Sequence, residues 1–225
     1  MTVLRVFVET TPKRAFASAL DWPGLARGGR DEAAALIALA AAMPRYAPVA
    51  EAAGETFDPT AGLEVVERAG GDASTAFGVP AIVARADRAP SDALEAQRLA
   101  ALVDAAWRTL DAAATAAPEV LRKGPRGGGR DRTKIVDHVN AADAAYASVL
   151  GRRHRPVDRG SVAAMRADVL LVLRDPSDGS PIAGRRWPPR YAARRIAWHA
   201  LDHAWEMEDR TESSAAGTVV LGGIP

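Results

Sequence analysis

The chain has 225 residues, of which 48% are hydrophobic, and its 29 basic and 28 acidic side chains give a formal net charge of +1. This length is typical of one large domain or two small ones, and the balanced charge excludes a global field that would attract nucleic acid. Cysteine is absent, which excludes disulfides and thiolate metal sites and agrees with a reducing, cytoplasmic location.

The first residues predict β-strands rather than a targeting signal. Residues 1–16, MTVLRVFVETTPKRAF, carry charges at Arg5 and Glu9 and lack the apolar run of a signal peptide. No stretch of the chain has the length and purity expected of a membrane span. Val3 to Glu9 alternates between apolar and polar residues, and Arg14 to Leu20 follows a Thr-Pro turn, so both segments predict strands.

A helix is predicted from about Asp31, which can cap its first turn. Four side chains have the spacing of a buried helical stripe: Leu36, Leu39, Met43 and Tyr46. Pro44 and Pro48 predict that this helix ends or kinks in the forties, because proline lacks the N–H that a helix interior needs. Residues 62–68, GLEVVER, are a further strand candidate.

The fold class predicted from these patterns is α+β. Residues 1–70 are expected to form a small β-α-β domain, and residues 71–90, with glycine, proline and mixed polarity, a linker. Residues 91–212 predict four helices, at about 92–117, 131–150, 158–174 and from Pro188 and Pro189 onward. Four helices of this length are most readily buried as an antiparallel four-helix bundle.

Two histidines of the last helix point to a metal site. In residues 196–210, IAWHALDHAWEMEDR, His199 and His203 lie one helical turn apart, so both imidazoles can aim at one point. Such a pair alone is more often structural, since short motifs match by chance. His138 falls on the predicted inner stripe of the second helix, and this third imidazole favours a metal site. Three neutral imidazoles suit zinc, nickel or another nitrogen-tolerant divalent ion and leave one coordination position open, as catalytic sites do.

Neighbouring side chains supply candidates for other roles. Tyr191 and Arg195 continue the row of the two histidines at intervals of four residues, and we predict that they bind substrate. Arg195 can hold a carboxylate or phosphate near the metal, or equally pair with an internal acid. Asp202 can accept the second N–H of an imidazole or lie on the surface. His154, in GRRHRPVDRG, is expected in a solvated turn.

The loop at residues 122–130, RKGPRGGGR, can present backbone N–H groups and Arg126 or Arg130 to an anion. It lacks the spacing and the Lys-Ser/Thr ending of a phosphate-binding loop, so the use of nucleoside triphosphates is not indicated. A flexible basic connector is the more usual role for this composition.

Roughly residues 91–210 resemble the DinB-like family of four-helix metalloproteins. The match lies in His138 within DRTKIVDHVNAADAAYA and in the His-x-x-x-His pair of His199 and His203. The resemblance implies a bundle that binds a divalent metal through three ligands, often as a homodimer. Relatives with activity include thiol-dependent transferases and isomerases, in which the metal activates mycothiol or bacillithiol.

Residues 1–70 resemble the small HicB-like domain of toxin–antitoxin systems, through the segment FASALDWPGLARGGRDEAAALIALA. The usual threonine at the start of the helix is Asp31 here, preceded by Arg30. The DNA-binding appendage of full antitoxins has no counterpart. The combination of the two parts resembles fused proteins of actinobacteria.

Together these features favour a cytoplasmic enzyme whose three-histidine metal activates water or a low-molecular-weight thiol for transfer, isomerisation or hydrolysis. Because the chain has no cysteine, such a thiol must come from a cofactor of the mycothiol type. The alternative is a non-enzymatic HicB-like module that binds RNA or a protein partner beside a dimerising, metal-stabilised bundle. Residues 1–70 carry seven basic and nine acidic side chains, which argues against strong RNA binding. A closed metal site with only a structural role is a third reading.

Overall fold

The computed structural model describes residues 2–123 and 129–211. Within these ranges the protein belongs to the predicted α+β class, with a four-stranded mixed sheet and six α-helices. The elements follow in this order: β1 (Val3–Thr10), β2 (Ala15–Ala19), β3 (Ala26–Gly29), α1 (Glu32–Ala52), β4 (Gly62–Gly70), α2 (Ala73–Phe77), α3 (Ala93–Ala116), α4 (Arg132–Val149), α5 (Arg159–Leu173) and α6 (Pro189–Asp209).

Strand β1 lies inside the sheet, whose order is β3-β2-β1-β4. It pairs antiparallel with β2 and parallel with β4. Val6 and Val8 point into the main core with α1, whereas Phe7 on the other face packs against Ala84. Both faces of β1 are therefore covered, and its residues Val6 to Glu9 are buried.

Helix α1 begins as predicted but does not end in the forties. Asp31 caps it by accepting a hydrogen bond from the Ala34 N–H at 2.8 Å. The helix continues past Pro44 and Pro48 to Ala52, so the predicted end was wrong. Both prolines lie on the exposed face, where water can solvate the carbonyls that they leave unpaired, while the buried face holds the helix in place.

The expectation that no stretch is long and apolar enough for a membrane span was wrong for α1, which passes by length and composition alone with a mean hydropathy of 1.4. In the structure it packs against β2, β3 and α3. Leu39, Met43 and Tyr46 are buried, and the Tyr46 hydroxyl donates to the Pro23 carbonyl at 2.8 Å. These contacts are typical of a core helix in a soluble protein.

Helices α3 to α6 lie close to their predicted positions. The predicted inner face of α3 is buried throughout: Leu99, Leu102, Val103, Ala106, Trp107 and Leu110. Apolar spacing in α4 predicts an inner stripe of Ile135, His138, Val139, Ala142, Tyr146 and Val149, but the helix is rotated from it. Ala142, Tyr146 and Val149 are only partly buried, whereas Asp143 and Ala147 are buried. The rotation follows from the packing of α4 against both α5 and α6, which the pattern of a single helix does not encode.

The predicted linker at residues 71–90 contains α2 and a 3₁₀ turn at Arg85–Arg88. Glu9 of β1, which is 1% exposed, holds the first half of this segment. Its carboxylate accepts hydrogen bonds from the Thr75 hydroxyl at 2.6 Å and from the N–H groups of Ala81 and Ile82 at 2.9 and 3.0 Å. The segment is therefore fastened to the sheet.

The second half of the segment is fastened to α6. Asp87 and Arg194 form a buried bidentate ion pair, with Nε to Oδ1 at 2.8 Å and Nη2 to Oδ2 at 2.6 Å. One hydrophobic cluster also runs from the sheet and α1 into the four long C-terminal helices. The sheet thus shares its core with α6, and the division into domains at residues 1–70 and 91–212 stays a prediction.

Candidate metal centre

Three of the four histidines meet between α4 and α6. His138 lies on α4, and His199 and His203 lie on α6. His199 is 6% exposed and the His203 side chain 11%, while His138 is half-buried. Each ring offers one nitrogen, and these atoms all lie within 4.8 Å of one another. The cluster could therefore hold a metal ion.

The spacing of two of the nitrogens fits a tetrahedral ion. The Nε2 atoms of His138 and His199 are 3.3 Å apart. Two nitrogens that each lie roughly 2.0–2.1 Å from one zinc ion in tetrahedral geometry are separated by about 3.3–3.4 Å. An N–H hydrogen bond is usually shorter, at about 2.7–3.2 Å. The pair is thus spaced as two ligands of one ion would be.

The three rings surround one point. Their centroids are separated by 5.1 Å for His138 and His199, by 5.0 Å for His138 and His203, and by 4.8 Å for His199 and His203. The two rings on α6 are nearly perpendicular, at 86°. This arrangement follows from their spacing of one helical turn, which brings side chains to the same face.

Glu206, one turn further along α6, orients His203. The His203 Nδ1 lies 2.8 Å from one Glu206 oxygen, and the other oxygen accepts a hydrogen bond from Arg210 Nη1 at 2.8 Å. The hydrogen bond with His203 and the contacts of Arg210 hold the pKa of Glu206 below its usual value. An ionised carboxylate only accepts hydrogen bonds, so Nδ1 of His203 is the nitrogen that donates, and in a neutral ring this leaves Nε2 with the lone pair that a metal needs.

His199 stays neutral because it is buried among positive charges. Desolvation, followed by the charges of His203 and Arg195, lowers the pKa of His199 to about 2. Burial is also the main cause of the lowered pKa of His138. Neutral imidazoles are the form that binds metals. Within the described residues, Nδ1 of His199 has no hydrogen-bond partner, so no outer carboxylate or carbonyl orients this ring.

Arg195 lies close to the histidines, whereas the Tyr191 hydroxyl is bonded elsewhere. The Arg195 guanidinium carbon is 5.0 Å from the ring centroid of Tyr146 and 4.7 Å from that of Trp198. Tyr191 donates its hydroxyl hydrogen to the Ala81 carbonyl at 3.0 Å. Its hydroxyl is thus engaged with the segment before α3 rather than with the histidine cluster.

Asp202 is also turned away from the imidazoles. Its carboxylate accepts a hydrogen bond from Arg27 Nη1 at 3.3 Å, which links α6 to β3. The orienting contact suggested for Asp202 is made by Glu206 instead.

The remaining candidates lie apart from the cluster or outside the described ranges. His154 lies 3.0 Å from the Asp168 carboxylate through its Nε2. In the glycine-rich loop at residues 122–130, Arg126 falls outside the residues that the structure describes, and Arg130 is exposed. Besides burial, the positive charge of Arg130 contributes to the lowered pKa values of His138 and His199.

Two contacts of the cluster were not anticipated from the sequence. The ring of Tyr146 lies 5.8 Å from that of His199 between centroids, and Glu206 bonds His203. Tyr146 follows His138 by two helical turns, and Glu206 follows His203 by three residues, so both spacings can be read from the sequence.

A buried acid outside the cluster was also not anticipated: Asp143 accepts a hydrogen bond from the Trp107 indole N–H at 2.9 Å. An acid in a helix usually lies on the surface, and no sequence pattern indicates that Asp143 is buried.

No protein-family model, no curated protein and no solved structure matches the chain. A function for the chain therefore follows only from its own residues and their geometry.

Replacing Glu206 by glutamine is expected to weaken metal binding by about 10–100-fold, because loss of an outer partner typically costs this much affinity. The amide no longer fixes the Nδ1–H tautomer of His203. The measurement is a competition titration of zinc against a chromophoric chelator. Glu208→Gln is the matched control, since Glu208 lies on the same helix and pairs with Arg45. Equal zinc affinities of the Glu206 variant and the wild type would contradict this role.

Proposed function

We propose that the protein is a metal-dependent enzyme whose centre is formed by His138, His199 and His203. The observation that carries this proposal is the 3.3 Å separation of two Nε2 atoms within a buried cluster of three imidazoles. The orientation of His203 by Glu206 supports it, because metal-binding histidines usually donate their second N–H to such a partner.

The donor set favours zinc or nickel. Imidazole nitrogen suits both ions, and with no cysteine in the chain no thiolate can add to the three ligands. In four-coordinate geometry, three protein ligands leave one position for a small molecule. The partial exposure of His138 and His203 gives that molecule a route from solvent.

When bound, the ion would supply Lewis acidity, which lowers the pKa of an adjacent water or thiol. The chain itself contributes neutral imidazoles, the Glu206 carboxylate that fixes one of them, and a largely buried setting that excludes bulk water. We infer that the nucleophile is water or a low-molecular-weight thiol of the mycothiol type, used for transfer, isomerisation or hydrolysis.

We also propose that the four long C-terminal helices belong to the DinB-like family and that the N-terminal part has a HicB-like arrangement. The first assignment is supported by the placement of the histidines on the second and fourth of these helices. The second is supported by the order of three strands, a helix and a fourth strand. On this basis we expect a cytoplasmic homodimer without strong nucleic-acid binding.

Metal analysis of the purified chain tests the proposal. After incubation with zinc and removal of free ion, the wild type is expected to retain about one ion per chain, as one three-ligand site would. His138→Ala and His199→Ala should retain almost none. His154→Ala is the control, because its ring pairs with Asp168 away from the cluster. Equal zinc content in all four proteins would refute the proposal.

A further inference from the structure

Arg195 differs from the other arginines of the described residues. Each of the others is either exposed to solvent or joined to a carboxylate in an ion pair. Arg195 is only partly exposed, and the structure pairs it with no acid in residues 2–123 and 129–211. Its Nη1 atom is buried and has no hydrogen-bond partner there. A charge kept out of water without a partner is costly, so this guanidinium is suited to bind an anion.

Two aromatic rings fix the guanidinium in place. Its central carbon lies 5.0 Å from the centroid of Tyr146 and 4.7 Å from that of Trp198. Aromatic faces stabilise a cation but leave the N–H groups at the guanidinium edge free to donate. The buried Nη1 atom therefore remains available for an acceptor.

Tyr146 links this cation to the histidine cluster. Its ring contacts Arg195 on one side and lies 5.8 Å from His199 on the other, between centroids. Arg195 is also one helical turn before His199 on α6. A small molecule that reaches the open side of the cluster is thus within range of both the Tyr146 phenol and the Arg195 fork.

We propose that Arg195 and Tyr146 bind a carboxylate of the substrate beside the three-histidine centre, an inference that rests on the proposed metal-dependent function. One unpaired guanidinium balances the single charge of a carboxylate and matches its two oxygens. A phosphate monoester carries nearly two charges at neutral pH, and the described residues place no second unpaired, buried arginine there. A carboxylic acid is therefore favoured over a phosphate ester.

The test uses the full chain loaded with Co²⁺, whose visible spectrum reports a ligand that enters its coordination sphere. Malonate, succinate and methyl phosphate are titrated at constant ionic strength against the wild type, Arg195→Met and Arg195→Lys. We expect a dicarboxylate to shift the wild-type spectrum and to bind Arg195→Met about 10–100-fold more weakly, as loss of a charge-assisted bond implies. Arg195→Lys should be intermediate, since lysine keeps the charge but not the fork.

Cobalt content and thermal unfolding are measured for each variant, and Arg186→Met, which removes an exposed arginine, controls for net charge. If the wild type takes up no cobalt, the proposed function fails and this inference fails with it. If cobalt is retained, three results overturn this inference alone: no dicarboxylate shift in the wild type, equal dicarboxylate affinities in the wild type and both Arg195 variants, or tighter binding of methyl phosphate.

Discussion

Replacing Arg194 by methionine is expected to lower the free energy of unfolding by about 3–5 kcal/mol, because removing one partner of a buried ion pair leaves the other charge uncompensated. Arg194 and Asp87 are 7% and 1% exposed in their side chains and form two short hydrogen bonds. Asp87 also accepts from the Ala84 N–H at 2.8 Å. The pair joins the 3₁₀ turn to the helix that carries two of the histidines.

Urea unfolding of the wild type and the variant measures this loss. The double variant Asp87→Asn/Arg194→Met should recover at least half of it, since no buried charge is then left without a partner. Arg30→Met is the control, because Arg30 pairs with Asp31 on the surface with 88% of its side chain exposed. A loss below about 1 kcal/mol, the range of surface pairs, would show that the buried pair does not fasten this turn to α6.

The second large effect is expected at Asp143, in the pH dependence of stability. Burial raises the pKa of Asp143 to about 7, against the attraction of Arg166 and the hydrogen bond from Trp107. The unfolded chain ionises this group near its usual pKa of 3.8. The contribution of Asp143 to the stability of the fold is therefore full below the unfolded pKa of 3.8 and is lost as the pH rises through the folded pKa of about 7. At about 1.36 kcal/mol per pH unit, the loss amounts to roughly 4 kcal/mol.

Asp143→Asn removes this pH-dependent loss of stability, because an amide does not ionise. Between pH 4 and pH 8 the variant should gain up to about 4 kcal/mol of stability relative to the wild type, while its amide oxygen still accepts from Trp107. Chemical denaturation across this pH range measures the difference. Asp137→Asn, an exposed position on the same helix, should follow the wild-type curve. If the Asp143 variant also runs parallel to the wild type, the carboxyl does not ionise in the way that its burial implies.

Much of the fold follows from local patterns. Asp31 caps α1 as predicted, because an aspartate before an amphipathic segment is a local signal. Asp92 and Asp158 cap α3 and α5 at the residues where those helices were predicted to begin, whereas Asp131, the other aspartate expected to cap a helix, makes no such bond before α4. The prolines of α1 gave a wrong prediction of its end, because the free-energy cost of a proline depends on whether it lies on the exposed or the buried face of the helix. That face is set by the sheet on which the helix packs.

The three-histidine cluster was predicted from helical spacing alone, and the choice of the orienting acid was not. Asp202 and Glu206 both lie three residues after a histidine on α6, so their spacing does not separate them. Arg27 of β3 engages Asp202, whereas Glu206 lies beside Arg210 and turns to His203. The partner of each acid depends on elements distant in the chain and on how α6 is rotated in the fold. Local periodicity contains neither kind of information.

The most direct test of a shared metal centre is X-ray absorption at the zinc edge of the loaded wild-type chain. We expect three imidazole nitrogens at about 2.0–2.1 Å together with one further, non-protein ligand. His138→Ala should lose one of these imidazole contributions or the bound ion itself. A wild-type spectrum with two imidazoles or fewer, or one that His138→Ala leaves unchanged, would contradict the convergence of α4 and α6 on a single ion.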